Sequence, residues 1–193
     1  MLLGCLLLVQ SAWRAIAPFE WEAEVAPLVA ARQAQGFDAR FVALEDVLAA
    51  PEAATGADAP ERIKLWLYAQ WRDHGLSHVL LVGDADVFPV RFMVLDRVAA
   101  PAFNTAFYAS DLYYADLARA DGTWDDWNAQ REDWHARYFG EVNGEQHKDG
   151  PINLDAISYI PEIAVGRWPV STRAEVRALA AKTLAWEVAP PAA

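Results

Sequence analysis

The feature that most constrains this chain is an alternation of short, continuous apolar runs with stretches of helical spacing. The runs are Leu6 to Val9, Ala39 to Leu44, His78 to Val82 and Ile163 to Val165. Runs this short, with no polar residue at every second place, suit strands buried on both faces. Between the first two, Trp21, Val25, Leu28, Val29 and Arg32 recur at helical spacing and predict a helix over roughly Trp21 to Gln35. Pro27 favours a helix start near Ala26, and Gly36 followed by Phe37 marks the stop. Ala49 to Pro60 reads as a small-residue loop. Asp58-Ala59-Pro60-Glu61 then opens a second helix, with Asp58 as cap and Glu61 reaching back. Ile63, Trp66, Leu67, Gln70 and Trp71 line one of its faces. Thr172-Arg173-Ala174-Glu175 is a capping box for a last helix, with Val176, Leu179, Ala180, Thr183 and Leu184 on one side. Buried strands alternating with such helices imply an α/β fold, a three-layer α/β/α sandwich around a mainly parallel sheet.

In sheets of this kind ligands sit at the carboxyl ends of the strands. That rim carries Gly83, Asp84, Asp86 and Arg167. From Phe88 to Asn153 the rhythm breaks, and this aromatic, acidic stretch reads as an insertion on the same rim. Val188 to Ala193 is a Pro/Ala tail, expected to be mobile. The chain is 54% hydrophobic with nine Trp, ample for a packed core. Its net charge, 16 − 27 = −11, provides no basic footprint for nucleic acid and disfavours anionic membranes. The apolar run Met1 to Val9 is too short to span a bilayer. It lacks a basic start, and Pro18 after Ala15-Ile16-Ala17 disfavours a leader cleavage site, so it reads as a buried first strand.

The single cysteine, Cys5, sits inside that run with no base nearby and reads as a small buried hydrophobe. His74, His78, His135 and His147 have no metal-ligand spacing with one another or with Cys5. Leu80 to Pro89 (LLVGDADVFP) is a strand running into a sharp glycine turn. Its Asp84 and Asp86 either cap backbone amides or bind a cation. Ser110 to Leu117 (SDLYYADL) alternates like a half-buried strand, and Asp111 is a candidate acidic contact to substrate. Asp116 and Glu141 join Asp84 and Asp86 as candidate ligands for calcium, which takes several oxygens. The acidic stretch Asp121 to Glu141 lacks the alternating Asp/Asn pattern and following glycine of a dedicated calcium loop, and suits an exposed loop better.

Five strings occur in a telling order: Pro27 to Phe37 (PLVAARQAQGF), Leu80 to Pro89, Ser110 to Leu117, Phe139-Gly140-Glu141, and Pro161 to Thr172 (PEIAVGRWPVST). Together they resemble the gingipain-type cysteine peptidases, relatives of caspases and legumains, over roughly residues 3 to 187. The resemblance implies a caspase-like sandwich, peptide or protein substrates, an extracellular or cell-surface setting, and a cysteine nucleophile served by a histidine. In that family a His-Gly pair ends a strand downstream of the segment matching Pro161 to Thr172, and the Cys ends the next strand. Neither falls within these 193 residues. His74-Gly75 spells the dipeptide but precedes a strand instead of ending one. The expectation is therefore an incomplete domain over residues 1–187, with the insertion at about 88–153, inactive alone and prone to self-association or to pairing with a missing C-terminal half. A non-catalytic scaffold of the same fold and a flavodoxin-like small-ligand binder are the alternatives.

Overall fold

A computed structural model of the chain describes residues 11–94, 107–127, 138–139 and 157–189. Four strands form an all-parallel sheet: β1 (Ala12–Ala17), β2 (Asp38–Ala43), β3 (Leu76–Val82) and β7 (Ala164–Trp168), in the order β2-β1-β3-β7. Three further strands, β4 (Phe92–Val94), β5 (Phe107–Ala109) and β6 (Tyr138–Phe139), make a small second sheet in the order β5-β4-β6. The expected strand over Leu6 to Val9 lies outside the described residues. The first described strand is Ala12–Ala17, every residue of it buried.

Side chains leave the sheet on both faces, as period-two geometry requires. Ile16, Val79 and Leu81 enter one core cluster with Val47, Ile63, Leu67 and Tyr114. Trp13, Ala15, Ala17, Leu80 and Val82 enter the other with Val25, Leu28 and Val176. Helices α1 (Glu22–Ala34) and α5 (Arg173–Val188) cover the second face, and α3 (Ala59–His74) covers the first. The layers are those of the α/β/α sandwich expected from the sequence.

Several boundaries differ from expectation. Helix α1 starts at Glu22 and carries Pro27 in its interior, after a 3₁₀ turn over Phe19–Trp21. Proline removes only one donor there, and burial of Trp21 and Val25 anchors the turns before it. A short helix α2 (Leu44–Ala49), held by buried Leu44 and Val47, precedes the small-residue loop. Asp58 caps α3 through the Glu61 amide at 3.0 Å, while the Glu61 carboxylate reaches back to the Ala57 amide at 2.8 Å. His74-Gly75 is the end of that helix, with Gly75 in the left-handed conformation. Gly166 and Arg167 lie within β7, not beyond it. The capping box at Thr172 and Glu175 is present in both directions.

Ser110 to Leu117 is not a strand. It contains a short helix, α4 (Leu112–Ala115). Tyr113 and Tyr114 are neighbours and both fully buried, which a one-sided strand does not allow. One stacks edge-on with Trp127 and the other with Phe88, so the segment is packed from two sides.

Candidate functional site

The carboxyl ends of β3 and β7 converge at Gly83. Its φ is +143°, and an added Cβ would lie 2.8 Å from the Cβ of Phe88, so only glycine fits. The Gly83 amide donates to Trp168 O at 2.9 Å, and the Asp84 amide donates to Val170 O at 2.9 Å. These bonds carry the pairing of β3 and β7 past the end of the ladder. Asp84 O then accepts the Val87 and Phe88 amides at 2.9 and 2.8 Å, closing the turn.

Two arginine–aspartate clamps fasten the segment from Phe107 onward across this rim. Arg167 donates to both carboxylate oxygens of Asp111, at 2.8 and 2.7 Å, and to Gly83 O at 2.7 Å. Its guanidinium also lies over the Phe88 ring, 5.1 Å from the centroid. Arg91 donates to both carboxylate oxygens of Asp58 at 2.9 and 2.8 Å and to the Tyr113 hydroxyl at 3.2 Å. Bidentate pairs of this kind fix orientation as well as charge. The Tyr114 hydroxyl donates to Pro89 O at 2.7 Å, and Ser110 N donates to Arg91 O at 3.0 Å. Burial pushes both tyrosine hydroxyls well above their ordinary titration range.

The candidate residues from the sequence fall in three places. Asp111 is on the rim, already gripped by Arg167. Asp84 and Asp86 are on the same turn, where Asp84 accepts its neighbour's amide at 2.8 Å and Asp86 accepts the Ser171 hydroxyl at 3.0 Å. Asp116 is buried elsewhere, against α3, and accepts the Ser158 hydroxyl at 2.8 Å. Glu141, His135 and His147 lie outside the described residues. Among the described residues no group of three or more His, Cys, Asp or Glu is placed to hold a metal ion, and no helix is long and apolar enough to cross a membrane. His78 stands on β3, bonded to the Ser77 hydroxyl and edge-on to Phe37.

Sequence reasoning did not find Arg167, the partner of Asp111, or the buried cation Lys64, whose charge acts on Asp116. Lys64 is completely buried beside Ile63 and Leu67. Burial draws its ammonium down to about 7, opposed by Asp116, Asp125, Asp126 and Glu162. Burial likewise pushes Asp116 up to about 6, against the Ser158 hydrogen bond and Lys64. The readable signal was a lysine three residues before Leu67 and seven before Trp71, on the edge of the apolar stripe of α3.

A parallel sheet ordered β2-β1-β3-β7, with helices on both faces and a loop-built carboxyl rim, defines a caspase-like α/β fold. The model of peptidase family C25 matches residues 13–193. The chain belongs to that family. Among solved structures it is similar to the complex of Porphyromonas gingivalis RgpB pro- and mature domains, at TM-score 0.54 and 15% identity over 91% of this chain and 29% of that one. It is similar also to the Arg-specific cysteine proteinase gingipain R (RgpB), at TM-score 0.53 and 15% identity over 92% of this chain and 28% of that one. The chain thus spans less than a third of the length of the solved chains it matches. No curated protein matches.

Proposed function

We propose that this chain supplies the front half of a gingipain-like cysteine endopeptidase domain, which hydrolyses peptide bonds only with further polypeptide providing nucleophile and base. The rim carries the proposal: among the described residues, the carboxyl ends of all four parallel strands are free of Cys and His. The chain's only cysteine, Cys5, precedes β1 in sequence. A thiolate nucleophile and its histidine must come within hydrogen-bond reach of each other, and these residues offer no such pair at the strand ends.

A second observation supports the same reading. Strand β7 pairs with β3 on one side and is the outer strand of the sheet among the described residues. Its Ala164 and Gly166 are exposed, and beside it a groove of about 230 Å³ is lined by Trp13, His78, Leu80, Val165, Trp168 and Thr183. An edge with unpaired amides and carbonyls is a template for another strand, here the strand that would carry the next catalytic element. Within the completed domain Asp111 lines the substrate rim, held in one orientation by Arg167.

The coding DNA after codon 193 tests this reading. An open frame bringing His-Gly and then Cys at the ends of successive apolar runs is the expected result. A stop followed by unrelated sequence would favour a non-catalytic scaffold of the same fold.

A further inference from the structure

Lys64 does not behave as a surface lysine that happens to be covered. Its Nζ has no hydrogen-bond partner. It faces three aromatic rings, 4.5 Å from the centroid of Trp127, 4.8 Å from Tyr113 and 5.2 Å from Trp124. Two fully buried carboxylates, Asp116 and Asp125, act on its charge from beyond ion-pair distance. Asp116 uses Oδ1 to accept the Ser158 hydroxyl at 2.8 Å, and its Oδ2 has no hydrogen bond. Asp125 uses Oδ2 to accept the Ser158 amide at 2.8 Å, and its Oδ1 has no hydrogen bond, with Arg119 Nε 3.7 Å away. Glu162 accepts the Leu117 and Ala118 amides at 2.6 and 3.0 Å. One cation and two half-satisfied carboxylates are thus buried in the same part of the core. Buried charges are tolerated only when paired, and a desolvated ammonium over aromatic faces gains from the ring quadrupoles.

We propose that Lys64 is a built-in cation: its ammonium fills an aromatic cage formed by Tyr113, Trp124 and Trp127, neutralises Asp116 and Asp125, and so fastens the 113–127 segment and the 157–162 segment to α3. An ion of the same chemistry, a short alkylammonium, is then the ligand the cage would accept if the lysine side chain were removed. None of the cage residues belongs to the Asp111–Arg167 clamp, and the cage meets the second clamp at Tyr113, whose hydroxyl accepts from Arg91 at 3.2 Å.

The test is chemical rescue in this chain. Lys64→Ala is compared with wild type by urea denaturation at pH 6, where the buried lysine of the wild type is mostly charged, with increasing propylammonium chloride, with 1-propanol at the same concentrations, and with sodium chloride at matched ionic strength. The expected result is a lowered urea midpoint for Lys64→Ala that propylammonium recovers saturably by at least half, while propanol and sodium chloride do not. Equal recovery by propanol and propylammonium would mean that a cavity was filled and no charge recognised, and would overturn the proposal. So would no recovery at all. Lys64→Met, which keeps the volume and loses the charge, decides the matter should Lys64→Ala not fold. A midpoint lowered for Lys64→Met and unmoved by propylammonium supports a built-in cation, and a midpoint equal to wild type refutes it.

Discussion

Removing the Arg167 guanidinium is the sharpest perturbation of the rim. In Arg167→Ala, the Asp111 carboxylate loses both of its bidentate donors and Gly83 O loses its 2.7 Å donor. The Arg167 side chain is 13% exposed and that of Asp111 28%, so water compensates in part. A fully buried broken pair costs about 3–5 kcal/mol, and exposed pairs contribute about 1 kcal/mol or less. The clamp lies between these limits, so Arg167→Ala should cost about 2–3 kcal/mol. Asp111→Asn keeps the shape and some hydrogen bonding and should cost about 1 kcal/mol. The two side chains act on each other, so the double variant should show a coupling energy of about 1–2 kcal/mol. Urea denaturation followed by tryptophan fluorescence gives all four corners of the cycle. A coupling below about 0.5 kcal/mol, within the additivity expected of independent sites, would show a solvent-screened pair and would refute the claim that this clamp holds the rim.

Other sites yield further expectations. Gly83→Ala should cost more than about 2 kcal/mol, from positive φ and collision with Phe88 together; a thermal melt within a degree of wild type would contradict the turn described. Thr172→Ala should cost about 1 kcal/mol through loss of the helix cap, and amide exchange in the first turn of α5 should rise with it. Arg32 holds Glu187 below its ordinary carboxylate value of 4.5. A depressed folded-state value stabilises above the unfolded one, and that stability disappears as pH falls through the folded value. Arg32→Ala should therefore flatten the acid limb of a plot of urea midpoint against pH below about 4.5, and an unchanged limb would rule the pair out as a contributor.

The layers of the fold were legible because burial on both faces leaves a mark in sequence. Val79 to Val82 is continuously apolar since Val79 and Leu81 pack on one face and Leu80 and Val82 on the other. The caps at Asp58 and Thr172 were legible because a side-chain acceptor three residues before a Glu has one local use. What escaped was set by tertiary contacts. The pattern of Ser110 to Leu117 alternates, yet Tyr113 and Tyr114 are both enclosed because α3 and the turn at Phe88 approach from different sides. Asp111, read from the sequence as a candidate acidic contact to substrate, lies on the rim, but its partner is 56 residues away in sequence, and no local spacing announces Arg167. Lys64 was overlooked for a related reason. A lysine beside an apolar stripe ordinarily extends to solvent, and only the aromatic residues of a distant segment close over this one.

Peptide turnover by this chain alone tests the central claim most directly. Incubated with a panel of fluorogenic peptides under reducing conditions, the chain should release no fluorophore above a Cys5→Ala control. Thiol-dependent turnover that disappears in Cys5→Ala would place a working nucleophile within these residues and contradict the account.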